Sequence, residues 1–117
     1  MIGKFDLNSS PGGEFYYNLK ANYRRIILTS HHYPWKAEAE ADIALVRQQV
    51  SNDANFQRKR SKNDEPYFVL VASDGRSLGK SDMYSTSSAM EVGIKAVKAN
   101  APNASLINRS QSEKASN

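Results

Sequence analysis

The chain has 117 residues, enough for one hydrophobic core, and with 39% apolar and 24% charged residues it has the composition of a folding domain rather than a disordered segment. It holds no cysteine, which excludes disulfides, thiolate metal sites and a cysteine nucleophile, and no stretch approaches the roughly 20 apolar residues of a membrane span. Sixteen basic against twelve acidic residues give a formal charge of +4, so the expectation is a cytoplasmic protein without a signal peptide, off the membrane, whose surface attracts anions mildly.

Phe5-Asp6-Leu7 begins a short strand, and Ser10-Pro11-Gly12-Gly13 reverses the chain. Phe15 to Ala21 then alternates, with Phe15, Tyr17, Leu19 and Ala21 on one face and Tyr16, Asn18 and Lys20 on the other, the pattern of a strand covered on one side. Asn22-Tyr23-Arg24 is a second turn, and residues 26–30 make a third strand in which Ile27 is taken as inward. From there the period lengthens: Ala39, Ile43, Val46 and Val50 form one buried helical stripe. Phe56 opens a new strand, Arg58-Lys59-Arg60-Ser61-Lys62 is a basic run, and Tyr67, Val69 and Val71 alternate with Phe68 and Leu70. Asp74-Gly75 is a hairpin turn, Leu78 is the inward residue of the next strand, and Met90, Ile94, Val97 and Ala101 repeat the helical stripe. Ser85 to Ser88 offer capping hydroxyls, with Ser88 and Glu91 at capping-box spacing, and Pro102 stops the helix.

The second half of this series repeats the first. A shift of 51 residues superimposes Phe5 on Phe56, Tyr16 on Tyr67, Leu19 on Leu70, Arg25 on Arg76, Ser30 on Ser81, Tyr33 on Tyr84, Ile43 on Ile94 and Val46 on Val97 without a gap. A further shift takes Phe56 to Ile107, so residues 104–109 read as the first strand of a third copy that goes no further. The expected organisation is one domain over 1–109, with repeats at about 5–51 and 56–102, a closing strand at 104–109 and a disordered tail over 110–117. One copy is too small to bury both its strands and its helix. The two are therefore expected to share an α+β fold, a tandem β-β-β-α-β repeat in a single antiparallel sheet with both helices on one face and a pseudo-twofold axis.

Leu19-Lys20-Ala21-Asn22, the steps Ser30-x-x-Tyr33 and Ser81-x-x-Tyr84 before each helix, the run from Gly93 to Asn100 and the duplication resemble the YegP-like family of small bacterial proteins. The resemblance covers Phe5 to Arg109 and implies a single sheet in which the C-terminal strands are exchanged between units; it implies no catalytic or binding residue. Copy one departs from the family pattern at Tyr23, at His31 and at Asp42, where copy two has Gly93.

The polar residues offer few constellations with chemistry in them. His31 and His32 lack the third and fourth ligands of a metal site, and neighbours in an extended segment point apart, so they read as exposed loop residues. Glu14 with Glu65, or Glu40 with Glu91, could meet as carboxylate pairs across the axis, but a solvated helix face or strand end is the reading strongly favoured for them, and general acid–base work would also need a pocket. No catalytic, cofactor or metal residue is assigned, and no cofactor is expected. Two binding surfaces remain. One combines Arg58, Lys59, Arg60 and Lys62 with the outward Tyr16 and Tyr67 as a platform for unpaired bases, against the plain reading of a charged strand edge. The other is the sheet face that the helices leave open, where Tyr67, Val69 and Val71 stand in copy two and Asn18 and Lys20 in copy one. The second is favoured: a monomeric interaction module for a protein partner, with nucleic acid as the alternative and an enzyme as the least supported class.

Overall fold

In chain order the elements are β1 (Lys4–Ser9), β2 (Phe15–Lys20), β3 (Ile26–Thr29), α1 (Lys36–Gln49), β4 (Phe56–Arg60), β5 (Pro66–Val71), β6 (Ser77–Lys80), α2 (Ser87–Asn100) and β7 (Ser105–Asn108). Single 3-10 turns at Asp53–Asn55 and Ala101–Asn103 precede β4 and β7. The computed structural model describes residues 3–21 and 25–110; the turn expected at Asn22-Tyr23-Arg24 and the tail beyond residue 110 lie outside the described residues.

The described strands form one seven-stranded sheet in the order β4-β5-β6-β3-β2-β1-β7. The order places β1, β2 and β3 opposite β4, β5 and β6 about an axis between β3 and β6, where Thr29 pairs with Lys80. The strand that follows α1 pairs with β5, and the strand that follows α2 crosses to β1. One expectation is corrected: the sheet is mixed, because β7 runs parallel to β1, with Ser105 beside Lys4 and Asn108 beside Leu7. Hairpin turns impose antiparallel pairing only on strands they join, and β7 reaches β1 after the whole second copy.

The duplication is legible in individual hydrogen bonds. Ser30 Oγ accepts from the Tyr17 amide at 2.9 Å and Ser81 Oγ accepts from the Phe68 amide at 3.0 Å. Each hydroxyl then donates to the next carbonyl, that of His31 at 2.7 Å or Asp82 at 2.8 Å. The Ser-x-x-Tyr motif thus locks the exit of the third strand onto the second in both copies. The first turns correspond too: Gly13, at φ 84°, is matched 51 residues on by Asp64, at φ 63°, each with its amide donating to the carbonyl of Ser10 or Ser61.

One side of the sheet and both helices enclose a single core. Phe5, Leu7, Tyr17, Leu19, Phe56, Phe68 and Leu70 are buried together with both helical stripes, Ala39, Ile43, Val46 and Val50 from copy one and Met90, Ile94, Val97 and Ala101 from copy two. The third strands depart from simple alternation. Leu19 pairs with Leu28 and Lys20 with Ile26, which leaves Ile27 as an extra residue; Leu70 pairs with Gly79 and Val71 with Ser77, which leaves Leu78. These bulges let Ile27 and Leu78 turn inward as expected while Leu28 is buried as well. Leu28 and Gly79 are partners under the 51-residue shift and meet at the axis: a Cβ on Gly79 would lie 2.6 Å from Leu28 Cγ. Two leucines would collide there, and a tandem repeat escapes the collision by making its halves unequal.

The start of α2 is also corrected. Its cap is Thr86, whose hydroxyl accepts from the Ala89 amide at 3.0 Å, and Ser88 lies inside the first turn. In α1 the corresponding position is Trp35, which makes no side-chain cap.

Candidate functional site

The structure separates the residues of the basic platform. Phe56 faces the core, and alternation along β4 sends Arg58 and Arg60 to the same side. Arg58 binds Glu91 of α2, Nε to Oε2 at 2.6 Å, and Asp53, Nη2 to Oδ1 at 3.1 Å. Arg60 bonds Ser87 Oγ and Asp64. Lys98 reaches Asp53 at 2.8 Å, and the Lys98 ammonium with the Arg58 guanidinium holds the Asp53 carboxyl down at about 2. The Arg58 guanidinium likewise holds Glu91 below its ordinary range. These arginines are spent on the corner between β4 and α2, and Lys62 lies in the turn after β4. The outer edge of β4 is unpaired among the described residues, and its charged side chains suit the guarding of an open edge.

Only Lys59 of the run shares the open face with Tyr67, its partner in register. Lys80 approaches from the other side, its ammonium 5.8 Å from the Tyr67 ring centroid. Along β5 the inward residues Pro66, Phe68 and Leu70 are buried while Tyr67, Val69 and Val71 are half-buried, forming an apolar strip framed by two lysines. Tyr16 is far from this strip, three strands away at about 4.8 Å per strand. Its ring is already stacked on His32 at 5.0 Å, and His32 Nδ1 lies 3.4 Å from Glu14 Oε1. The acidic candidates are therefore engaged separately, Glu14 with His32 and Glu91 with Arg58.

Copy one carries a polar ladder where copy two carries the strip. Asn8 donates to Asn18 Oδ1 at 3.2 Å and Asn18 donates to Thr29 Oγ1 at 2.9 Å; under the shift these residues become Lys59, Val69 and Lys80. Beyond the ladder Asp6, buried, binds Lys20 at 2.5 Å and Arg109 at 3.2 Å. At the axis the two open-face halves meet beside a cavity of about 510 Å³ lined by Thr29, His31, Ser77, Lys80 and Asp82. No group of three or more His, Asp or Glu able to hold a metal is found among the described residues, nor is any described helix long and apolar enough to cross a membrane.

A second polar cluster was not expected. Arg76, on the hairpin of copy two, reaches Asp42 of α1 with Nη1 at 3.1 and 2.9 Å from the two carboxylate oxygens, and the Tyr33 hydroxyl donates to Asp42 Oδ2 at 2.7 Å. Asp42 is 3% exposed. Burial, then donation to Asp42, pushes the Tyr33 hydroxyl well above its ordinary value. The sequence held a trace of this cluster, since Asp42 stands where copy two has Gly93.

A family model, Domain of unknown function (DUF1508), matches the chain twice, over residues 11–57 and 61–107. A UPF0339 protein of Bordetella pertussis is 43% identical over 111 residues, which span 95% of this chain and 99% of that one. The chain belongs to the UPF0339 family. A further UPF0339 member, YegP of Shigella flexneri, is 40% identical over 86% of this chain and 91% of its own. Two solution structures share the UPF0339 fold at a TM-score of 0.89: a Shewanella oneidensis protein, 34% identical over 94% of this chain and 93% of that one, and Escherichia coli YegP, a protein of unknown function, 35% identical over 94% and 95%. The two family matches put the tandem repeat on independent ground and begin each repeat at the turn before its second strand.

Proposed function

We propose that this protein is a non-catalytic interaction module that binds a protein partner through the copy-two half of its open sheet face. The observation that carries the reading is the strip Tyr67, Val69 and Val71, which lies on the side away from the helices with Lys59 and Lys80 around it. A solvated sheet face places polar side chains at such positions, as copy one does with Asn18 and Lys20. The two ammonium groups favour a partner whose apolar patch is rimmed by carboxylates. Because copy one has a satisfied polar ladder at the equivalent place, the module has one docking half rather than two.

The test is capture from extract with three immobilised forms: the parent, Val69→Lys, and Val92→Lys on the exposed side of α2. A protein retained by the parent and Val92→Lys but lost with Val69→Lys supports the reading; retention indifferent to Val69→Lys removes the face from consideration. The alternative occupant is single-stranded nucleic acid, favoured by the two lysines about Tyr67 and opposed by the engagement of Arg58 and Arg60 elsewhere. Amide shifts at Lys59, Tyr67 and Lys80 on adding short RNA or DNA, weakening steeply with salt, would put nucleic acid in the partner's place.

A further inference from the structure

Asp74-Gly75 is the one place in the sequence where an aspartate or asparagine precedes a glycine, and copy one has Tyr23-Arg24 at the corresponding positions. The pair lies in the turn between β5 and β6, with the Asp74 side chain 62% exposed. Glycine has no Cβ to keep a preceding carboxyl carbon away from its amide nitrogen, so this is where a side chain is most open to attack by its own backbone. Two sets of contacts oppose that attack. The Gly75 amide donates to the Ala72 carbonyl at 2.9 Å, which ties down the nucleophile. The Asp74 carboxylate accepts from the Arg76 amide at 3.1 Å and from Arg76 Nε at 3.2 Å, which draws both oxygens toward Arg76. The same two donors hold the carboxyl below its ordinary range and so in its ionised, poorly electrophilic form. The guanidinium that does this is itself fixed from the other copy. Its Nη1 lies 3.1 and 2.9 Å from the two carboxylate oxygens of Asp42, a buried residue of α1.

We infer that Asp74-Gly75 is a site of spontaneous isoaspartate formation, and that Arg76, anchored on Asp42 of the other copy, restrains it. In the reaction the Gly75 nitrogen bonds to Asp74 Cγ, and the amide hydrogen and the carboxyl OH leave as water, closing a five-membered succinimide. Water then adds at the main-chain carbonyl carbon of Asp74 and breaks its bond to the Gly75 nitrogen, so that the chain runs through Cγ. No co-reactant other than water takes part. The product has one more carbon in the backbone of the turn and carries its carboxylate on the former main-chain carbon, so neither bond from Arg76 finds its acceptor in place. The modification therefore loosens the guanidinium that joins the copy-two hairpin to α1, and a contact between the copies sets the chemical lifetime of a turn in one of them. The site is apart from the strip on β5 and does not rest on the docking reading.

The experiment is incubation of the full chain near neutral pH, with isoaspartate counted by methyl transfer from an isoaspartyl-specific carboxyl methyltransferase and placed by peptide mass spectrometry. The parent should accumulate isoaspartate at Asp74 as a slow first-order process. Arg76→Gln should speed this about ten-fold, the worth of one charge-assisted hydrogen bond. Asp42→Asn should speed it less, because Arg76 then has a weaker anchor but keeps its bonds to Asp74. Asp74→Glu, which cannot close the five-membered ring, should give no signal at that position. Deamidation of Asn8, which precedes Ser9 within β1, reports loss of the whole fold in the same samples. The parent unfolded in urea supplies the unrestrained rate without any variant, and that rate should exceed the folded one by at least the factor found for Arg76→Gln. Equal rates in the parent and Arg76→Gln, equal rates in the folded and unfolded parent, or an acceleration that Asn8 deamidation matches would overturn the restraint. Absence of isoaspartate at Asp74 in the unfolded parent would overturn the site itself.

Discussion

The seam between the two copies offers a quantitative test, because Leu28 and Gly79 meet there as unequal partners. In Gly79→Ala the new methyl would lie 2.6, 2.9 and 3.0 Å from the Cγ, Cδ2 and Cδ1 atoms of Leu28, itself fully buried. Gly79 does not sit at a left-handed φ, so alanine meets no backbone penalty and the cost is one of space, about 1–3 kcal/mol for overpacking. Leu28→Ala alone should cost about 2–5 kcal/mol through the lost burial and the void. In the double variant the clash disappears and the methyl partly fills the void, so the two costs should fall short of their sum by about 1–3 kcal/mol. Urea unfolding followed by far-UV circular dichroism, with the slopes held common, measures all four corners of the cycle. Additivity within about 0.5 kcal/mol would refute the claim that these residues share one space across the axis.

Three further outcomes are expected. Thr86→Ala should cost about 1 kcal/mol through loss of the cap on α2, whereas Ser88→Ala should stay within about 0.5 kcal/mol, as read from unfolding midpoints. Replacing Arg58, Lys59 and Arg60 together by threonine should strip the guard from the β4 edge and give concentration-dependent association in sedimentation; a variant that sediments as the parent does would show the charges are not protecting that edge. Asp53 should titrate at about 2 and Glu91 below its ordinary value. Their folded values are depressed, so the stability they contribute is fully present above the ordinary carboxylate range and is lost as pH falls from there toward 2. Carboxyl carbon shifts measure this directly, and Lys98→Ala should move Asp53 back up.

Much of the architecture was legible because it rests on local periodicity. Both helical stripes and the alternation of β2 and β5 appear in the sequence at spacings that physical burial requires, and the 51-residue shift survives down to paired hydrogen bonds at Ser30 and Ser81. What escaped was set by relations no local pattern records. The parallel direction of β7 depends on where the chain re-enters after a complete copy. The inward turn of Leu28 depends on a bulge, and runs of apolar residues such as Ile26-Ile27-Leu28 do not say where a bulge falls. In the candidate surface, Tyr67, Val69 and Val71 followed from alternation, whereas the basic run suggested one patch that the pleat of β4 divides between two sides. The Arg76–Asp42–Tyr33 cluster joins residues from both copies and showed itself in the sequence only as an unequal pair, Asp42 and Gly93.

The central claim, that the copy-two half of the open face is the docking surface, is tested most directly by cross-saturation of the isotopically labelled protein in complex with a captured partner. The account predicts attenuation at Tyr67, Val69, Val71 and Lys80, with the ladder of Asn8, Asn18 and Thr29 spared. Attenuation centred on Val92 and Lys95 of α2, or along the outer edge of β4, would contradict it.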